Sequence, residues 1–364
     1  MALARKMRDS FQANVFFVLP KQKISGWHEA IQKEFELIFT EAPYDKCSHE
    51  IEMFLKEKEI DLIHSHYEAY DISVAKAIIR SGRNIKQVWH LHDWVNLDLS
   101  GRSLSPLRKL YRNVLYWRKY NLLGGKAYLL GVSAEILYII EQFKDSMLLR
   151  YPRIASNDEL SCKSFKYGEI LLNGIDISRL SVSYVRPKGV FTFFTFGGRT
   201  YGKGIPVILD ACDALCKERI AFRMMITKGT DTLTYVKKRY GEQIPLWLEL
   251  KTQSDDIASL FSLAHCYISA SQGETMSMAI AEASIYGLPV IQNDIAGSWW
   301  NADTPSAFVF RKDNVTELVS LMKKVMDMNP EELAEKCKQS SAINKERLAL
   351  EHWVDRVVDV YLRI

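Results

Sequence analysis

Short apolar runs alternate with longer amphipathic stretches along the chain, and polar turns carrying Gly, Pro or Asn separate them. In the first half, Val15–Leu19, Glu36–Phe39, Ile60–His66, the run from Gln87 to Trp94 and Tyr128–Val132 read as strands. Residues 1–12, His28–Glu34, Ser48–Glu57, Ser73–Ser81 and the stretch from Ser133 to Phe143 read as helices between them. The second half repeats the alternation. Val190–Phe196, Phe222–Thr227, Leu246–Leu250, Cys266–Ser269, Pro289–Gln292 and Ala307–Phe310 are the strands; Ile205–Leu215, Ser254–Ala264, Met276–Tyr286, Asn314–Met328, 331–347 and 350–362 are the helices. Lys228–Gln243 reads as a polar stretch. Strand–helix alternation predicts an α/β protein of doubly wound, Rossmann-like sheets. Residues 177–190, with Pro187 and Gly189, read as a linker. The expected domains are therefore 1–180 and 190–345, with 346–364 as a closing helix.

The stretch from His265 to Ser298 carries the densest chemistry. Cys266–Ser269 is a buried strand, and Ser271, Gln272 and Gly273 form a loop. The helix that follows ends at Gly287, where a left-handed cap is wanted, and Pro289 prevents continuation. Glu274 stands at the helix entrance and Glu282 inside it, so about 12 Å of helix separates them. Free N–H groups and the positive end of the helix dipole lie between the two carboxylates and suit a diphosphate. Two solvated surface glutamates are the plainer reading, although Ala279, Ile280, Ala281, Ala283 and Ile285 surround Glu282 with apolar neighbours.

This stretch resembles the Glu-x7-Glu signature of family-four retaining glycosyltransferases, which have the GT-B fold of two Rossmann-like domains facing a cleft. Gly287-Leu288-Pro289-Val290 and Ala296-Gly297 match the family's following turns. Where relatives carry a glycine-rich run after the first Glu, this chain has Thr275-Met276-Ser277-Met278. The resemblance implies that Glu274 binds the sugar hydroxyls and Glu282 the ribose, with Thr275, Met276 and Ser277 lining the donor pocket. It also implies an opening strand with a glycine-rich loop, which the chain lacks before its first helix.

Further matches follow. Gly197-Gly198-Arg199-Thr200-Tyr201-Gly202-Lys203-Gly204 follows a strand and precedes a helix, a phosphate-binding arrangement that is neither a Walker loop nor a dinucleotide fingerprint. It is similar to the family's Gly-Arg…Lys-Gly, which implies contacts from Gly198 and cationic stabilisation of the leaving diphosphate by Arg199 and Lys203. Two His-x-His pairs end two strands, His64/His66 and His90/His92. Residues two apart face one side, so a zinc site is one reading. The preferred reading sets both strand ends at a ligand cleft with no metal. By resemblance His92 lies beside the transferred sugar and Asp93 is the polar residue after it. Ile170–Asp176 resembles Ile-x-Asn-Gly-x-Asp, in which Asn173 either makes a plain turn or touches ligand.

From Gly101 to Gly131 the chain is basic and aromatic. An ordinary helix with a solvated face is preferred there, and a helix lying on anionic lipid is the alternative. Composition adds limits. The 364 residues are 48% hydrophobic and 25% charged, ample for two cores. A net charge of +4 is too weak to indicate nucleic acid. Six cysteines form no C-x-x-C pair and read as reduced thiols of a cytoplasmic protein. No Asp-x-Asp metal motif occurs and no cofactor is implied. The expected activity is retaining, hexosyl-type transfer from a nucleotide diphosphate sugar, a UDP-sugar foremost, to a glycan or lipid-linked acceptor, as in cell-surface polysaccharide synthesis. The expected location is cytoplasmic, with peripheral contact at the inner membrane. The alternatives are a noncatalytic GT-B-like subunit that stabilises a partner, or a sugar-nucleotide epimerase.

Overall fold

The computed structural model describes residues 1–21, 26–43, 45–66, 68–92, 105–145, 159–160, 163–180 and 186–364. The chain divides into two compact units. Met1–Leu172 and Trp353–Ile364 form the first, and Asn173–His352 the second. The division falls ahead of the expected linker, so Asn173 belongs to the second unit.

Strands are numbered in chain order. In the first unit, β1 (Phe16–Pro20) and β2 (Glu36–Thr40) pair in parallel as a two-stranded sheet. A separate four-stranded sheet runs β3 (Leu62–Ser65), β4 (Lys86–Leu91), β5 (Tyr128–Gly131) and β6 (Gly168–Ile170), again all parallel. β3 and β4 are joined by the helix Glu68–Ser81, and the helix Leu350–Arg363 returns to the sheet. Val357 and Val360 of that last helix pack with Val88, Leu130 and Leu171, because its apolar positions recur at helical spacing.

The second unit holds one parallel six-stranded sheet in the order β12-β11-β10-β7-β8-β9, where β7 is Thr192–Thr195, β8 Arg223–Thr227, β9 Leu248–Lys251, β10 Cys266–Ser269, β11 Val290–Asn293 and β12 Ala307–Phe310. β7, β10 and β11 are buried throughout, as expected of a sheet covered on both faces. The order reverses between β7 and β10, and at such switch points a doubly wound sheet opens a crevice at its strand ends. The architecture is GT-B, with two Rossmann-like units.

Three local expectations change. Thr230–Tyr240, read as a polar stretch, is a helix: Val236 is fully buried, and the basic last turn (Lys237, Lys238, Arg239) suits the negative end of the dipole. The helix expected over Met276–Tyr286 begins at Met278, since Met276 is buried and Ser277 donates its N–H to Gly297 O at 3.0 Å. The basic stretch is an α-helix only over Pro106–Trp117, with Leu107, Leu110, Tyr111 and Leu115 exposed, and continues as a π-helix over Arg118–Leu123. Among the described residues no helix is long and apolar enough to cross a membrane.

A buried polar network fixes the helix Met278–Tyr286. Asn344 donates to Ser284 Oγ at 2.7 Å and to Asn301 Oδ1 at 2.8 Å. Asn301 donates to Gln292 Oε1 at 2.8 Å, and Gln292 donates to Ser298 O at 2.7 Å. Replacing Asn344 with Leu strands two buried polar groups, so Asn344→Leu is expected to lower stability by about 2–4 kcal/mol in urea unfolding.

Candidate active site

The site is built on the second unit, where three loops converge beyond the ends of β7, β10 and β11. Gly204 has φ +64° and lies so close to Ala270 that a Cβ would sit 1.9 Å from its carbonyl oxygen. Gly297 approaches Glu274 in the same manner, with 2.1 Å between a built Cβ and Glu274 O. Only glycine permits these contacts. Gln272 donates its N–H to Gly202 O at 2.8 Å, and Asn293 Nδ2 donates to Ser271 O at 2.7 Å, which joins the loops further.

At this junction Lys203 Nζ donates to Glu274 Oε1 at 2.6 Å, and Ser271 Oγ donates to the same oxygen at 2.9 Å. Both charged side chains keep contact with solvent, so the pair contributes little to stability, about 0–1 kcal/mol. Arg199 is exposed on the same loop. The helix beginning at Met278 has no side-chain cap, and its first N–H groups are available to an anion.

Three amides of the glycine-rich loop are engaged within the unit: Gly197 N–H meets Thr227 Oγ1 at 2.8 Å, Gly198 N–H meets Thr232 Oγ1 at 3.1 Å, and Thr200 N–H meets Asp231 Oδ2 at 2.8 Å. The Thr200 N–H holds the Asp231 carboxyl below the ordinary range. The backbone therefore stiffens the loop, and the cationic side chains remain for an anion.

Asn173 joins the group, its N–H 2.9 Å and its Nδ2 3.8 Å from the sulfurs of Met276 and Met278. Thr275 and Glu282 are half-buried, and Ser277 is buried. The structure thus assembles Gly198, Arg199, Lys203, Glu274, Thr275, Met276, Ser277, Glu282 and Asn173 on one unit. His92 lies in the first unit, its Nε2 3.1 Å from His66 Nδ1, and Asp93 falls outside the described residues.

Two features escaped the sequence reading. Tyr267, buried in β10, has its phenol raised by burial first and then by the charges of Glu274 and Glu282. A cavity of about 290 Å³ opens beside the loop, lined by Phe196, Gly197, Thr227, Gln253, Ser254 and Asp255. The polar run Gln253–Asp256 at the end of β9 was its only signal.

Comparison with known proteins identifies the domains and the fold. Residues 191–328 match the family model "Glycosyl transferases group 1", and residues 33–128 match "Glycosyltransferase Family 4". The chain carries glycosyltransferase domains. No curated protein sequence matches it. Among solved structures, Anabaena HepE in complex with UDP and glucose is similar with 15% identity and TM-score 0.71, over 100% of this chain and 95% of that one. Sucrose-phosphate synthase from Thermosynechococcus elongatus gives 13% identity and TM-score 0.73, over 100% and 91%. A glycosyltransferase from Rickettsia africae gives 15% and 0.71, over 99% and 92%. At these identities the likeness speaks for the fold, which the glycosyltransferase domains share.

The glycine contacts give a direct test. Gly204→Ala in this glycosyltransferase-domain chain combines a positive φ with a collision against Ala270 O. A loss of about 2–4 kcal/mol is expected by denaturant unfolding, against near-neutral behaviour for Gly202→Ala on the same loop, where φ is not positive and a Cβ comes no nearer than 3.4 Å to any neighbour.

Proposed function

We propose that the chain is a retaining glycosyltransferase. It moves a hexosyl group from a UDP-sugar to a glycan or lipid-linked acceptor in cell-surface polysaccharide synthesis, at the cytoplasmic face of the membrane. The observation that carries this reading is the Lys203–Glu274 pair at the open start of the helix Met278–Tyr286. One loop supplies two cations and the other supplies a carboxylate and a helix dipole. This is the charge pattern that a sugar diphosphate requires.

The pair changes partners in the proposed reaction. In the free protein Glu274 holds Lys203. A bound diphosphate competes for the ammonium and also draws Arg199 and the helix amides. Released Glu274 then accepts hydrogen bonds from sugar hydroxyls. Glu282 is assigned to the ribose hydroxyls, and the cavity lined by Phe196, Thr227 and Gln253 to the base. Met276 and Met278 narrow the sugar pocket where glycines would leave it open, which makes them determinants of donor choice.

In the transfer step the bond between the anomeric carbon and the phosphate oxygen breaks. The acceptor oxygen bonds to the same carbon on the same face. The acceptor's proton passes to the departing phosphate oxygen. Arg199 and Lys203 stabilise the negative charge that develops, an electrostatic contribution set in place before reaction. His92 and Asp93 are assigned to the sugar and acceptor side. The amphiphilic helix Pro106–Trp117 supports a lipid-linked acceptor: a cavity of about 680 Å³ along it is lined by Arg108, Arg112, Tyr111 and Leu115 among others, which combines cations with apolar surface.

Two measurements test the proposal. Lys203→Met should weaken UDP binding at least about 100-fold by calorimetry, since a charge-assisted contact to a phosphate is lost; unchanged affinity contradicts the site, and no UDP binding by the wild type favours the noncatalytic reading. Flotation with phosphatidylglycerol vesicles should carry the wild type upward at low salt, and Arg108→Glu/Arg112→Glu should remain in the soluble fraction; equal behaviour of both removes the lipid assignment.

A further inference from the structure

The two His-x-His pairs meet. β3 and β4 are parallel with Ser65 opposite Trp89, and continuation of that register sets His66 opposite His90. Side chains two apart share a face, so His64, His66, His90 and His92 all stand on one side of the first unit's sheet. Ring centroids lie 4.1 Å apart for His64/His66, 5.1 Å for His66/His90 and 4.2 Å for His90/His92. Ligand nitrogens of His64, His66 and His90 all fall within 4.8 Å of one another.

Their hydrogen bonding is incomplete. His90 is 1% exposed, and among the described residues neither of its ring nitrogens has a hydrogen-bond partner within normal geometry. The Leu171 backbone near it is the available acceptor for one ring N–H, which leaves the other nitrogen with a lone pair. His64 Nδ1 meets Tyr361 Oη, while its buried Nε2 has no partner among the described residues. His66 is oriented by the contact of its Nδ1 with His92 Nε2 at 3.1 Å. Unpaired buried imidazole nitrogens are costly unless something accepts their lone pairs. A backbone carbonyl or hydroxyl holding one nitrogen while the other faces a common point is the usual arrangement around a metal-bound histidine.

We propose that His64, His66 and His90 bind one divalent transition-metal ion, Zn²⁺ foremost, on the first unit. An all-imidazole donor set without thiolate or carboxylate suits Zn²⁺, and also Cu²⁺ or Ni²⁺, and disfavours Mg²⁺ and Ca²⁺. Tetrahedral coordination at the usual Zn–N length brings the nitrogens to about 3.4 Å from one another. Side-chain rotation on fixed strands therefore closes the set on binding. Three protein ligands leave a fourth position for water or for His92. Tyr361 is a positioning residue: its hydroxyl fixes the His64 ring, and so links the ion to the helix Leu350–Arg363. The donors all belong to the first unit, and Lys203 and Glu274 to the second.

The test uses the full chain with any polyhistidine tag removed, dialysed against chelator and then titrated with ZnCl₂. Wild type is expected to bind one Zn²⁺ per chain by calorimetry and to retain it through gel filtration, as measured by elemental analysis. Co²⁺ should give visible ligand-field bands. His64→Gln and His90→Gln should each lose binding, and Tyr361→Phe should weaken it about 10- to 100-fold. If His90→Gln fails to fold by circular dichroism, the half-buried His64 decides the matter. Failure of the wild type to bind, or equal stoichiometry in a folded His64→Gln variant, overturns the proposal. UDP titration of the same samples separates this outcome from failure of the donor site.

Discussion

Two backbone contacts organise the second unit's loops: Gly204 against Ala270 and Gly297 against Glu274. Each requires the absence of a side chain, and each joins a loop of one βα unit to the loop of another. With these contacts in place, Lys203 and Glu274 reach one another across separate segments of the chain. The polar network from Asn344 to Gln292 then fixes the helix behind them. Sheet order puts all these loops at strand ends near the reversal between β7 and β10, so the chemistry follows from the topology.

The glycine-rich loop shows how rigidity and charge are divided. Threonines and an aspartate at or beyond the end of β8 occupy its amides at Gly197, Gly198 and Thr200. The loop gives up backbone donors and gains a fixed shape. In the proposed reaction Arg199 and Lys203 act from this stiff base, which lowers the reorganisation needed when the diphosphate arrives. The resting ion pair is weak because it remains partly solvated, and a multiply charged ligand can displace it at small cost.

Much of this was legible in the sequence. Apolar runs located most strands, since buried parallel strands need continuous Val, Ile, Leu and Phe. The Gly-Arg…Lys-Gly loop and Glu274 could be placed because local chain order fixes their positions beside strands. What depended on distant partners was hidden. The use of the loop's amides is set by Thr227, Thr232 and Asp231 in the next βα unit. The late helix start at Met278 follows from Gly297 capturing Ser277 N–H, a contact made across the sheet. The helix Thr230–Tyr240 was obscured by its polar exposed face. The meeting of four histidines required the β3–β4 register, which no single strand reveals.

The central claim is that Lys203 exchanges its carboxylate partner for a diphosphate. A crystal structure of the chain with UDP bound tests it most directly. The account predicts Lys203 Nζ within hydrogen-bond reach of a phosphate oxygen, with the diphosphate at the N-terminus of the helix Met278–Tyr286 and Glu274 released. A structure in which Lys203 remains on Glu274 while the diphosphate lies elsewhere would contradict it.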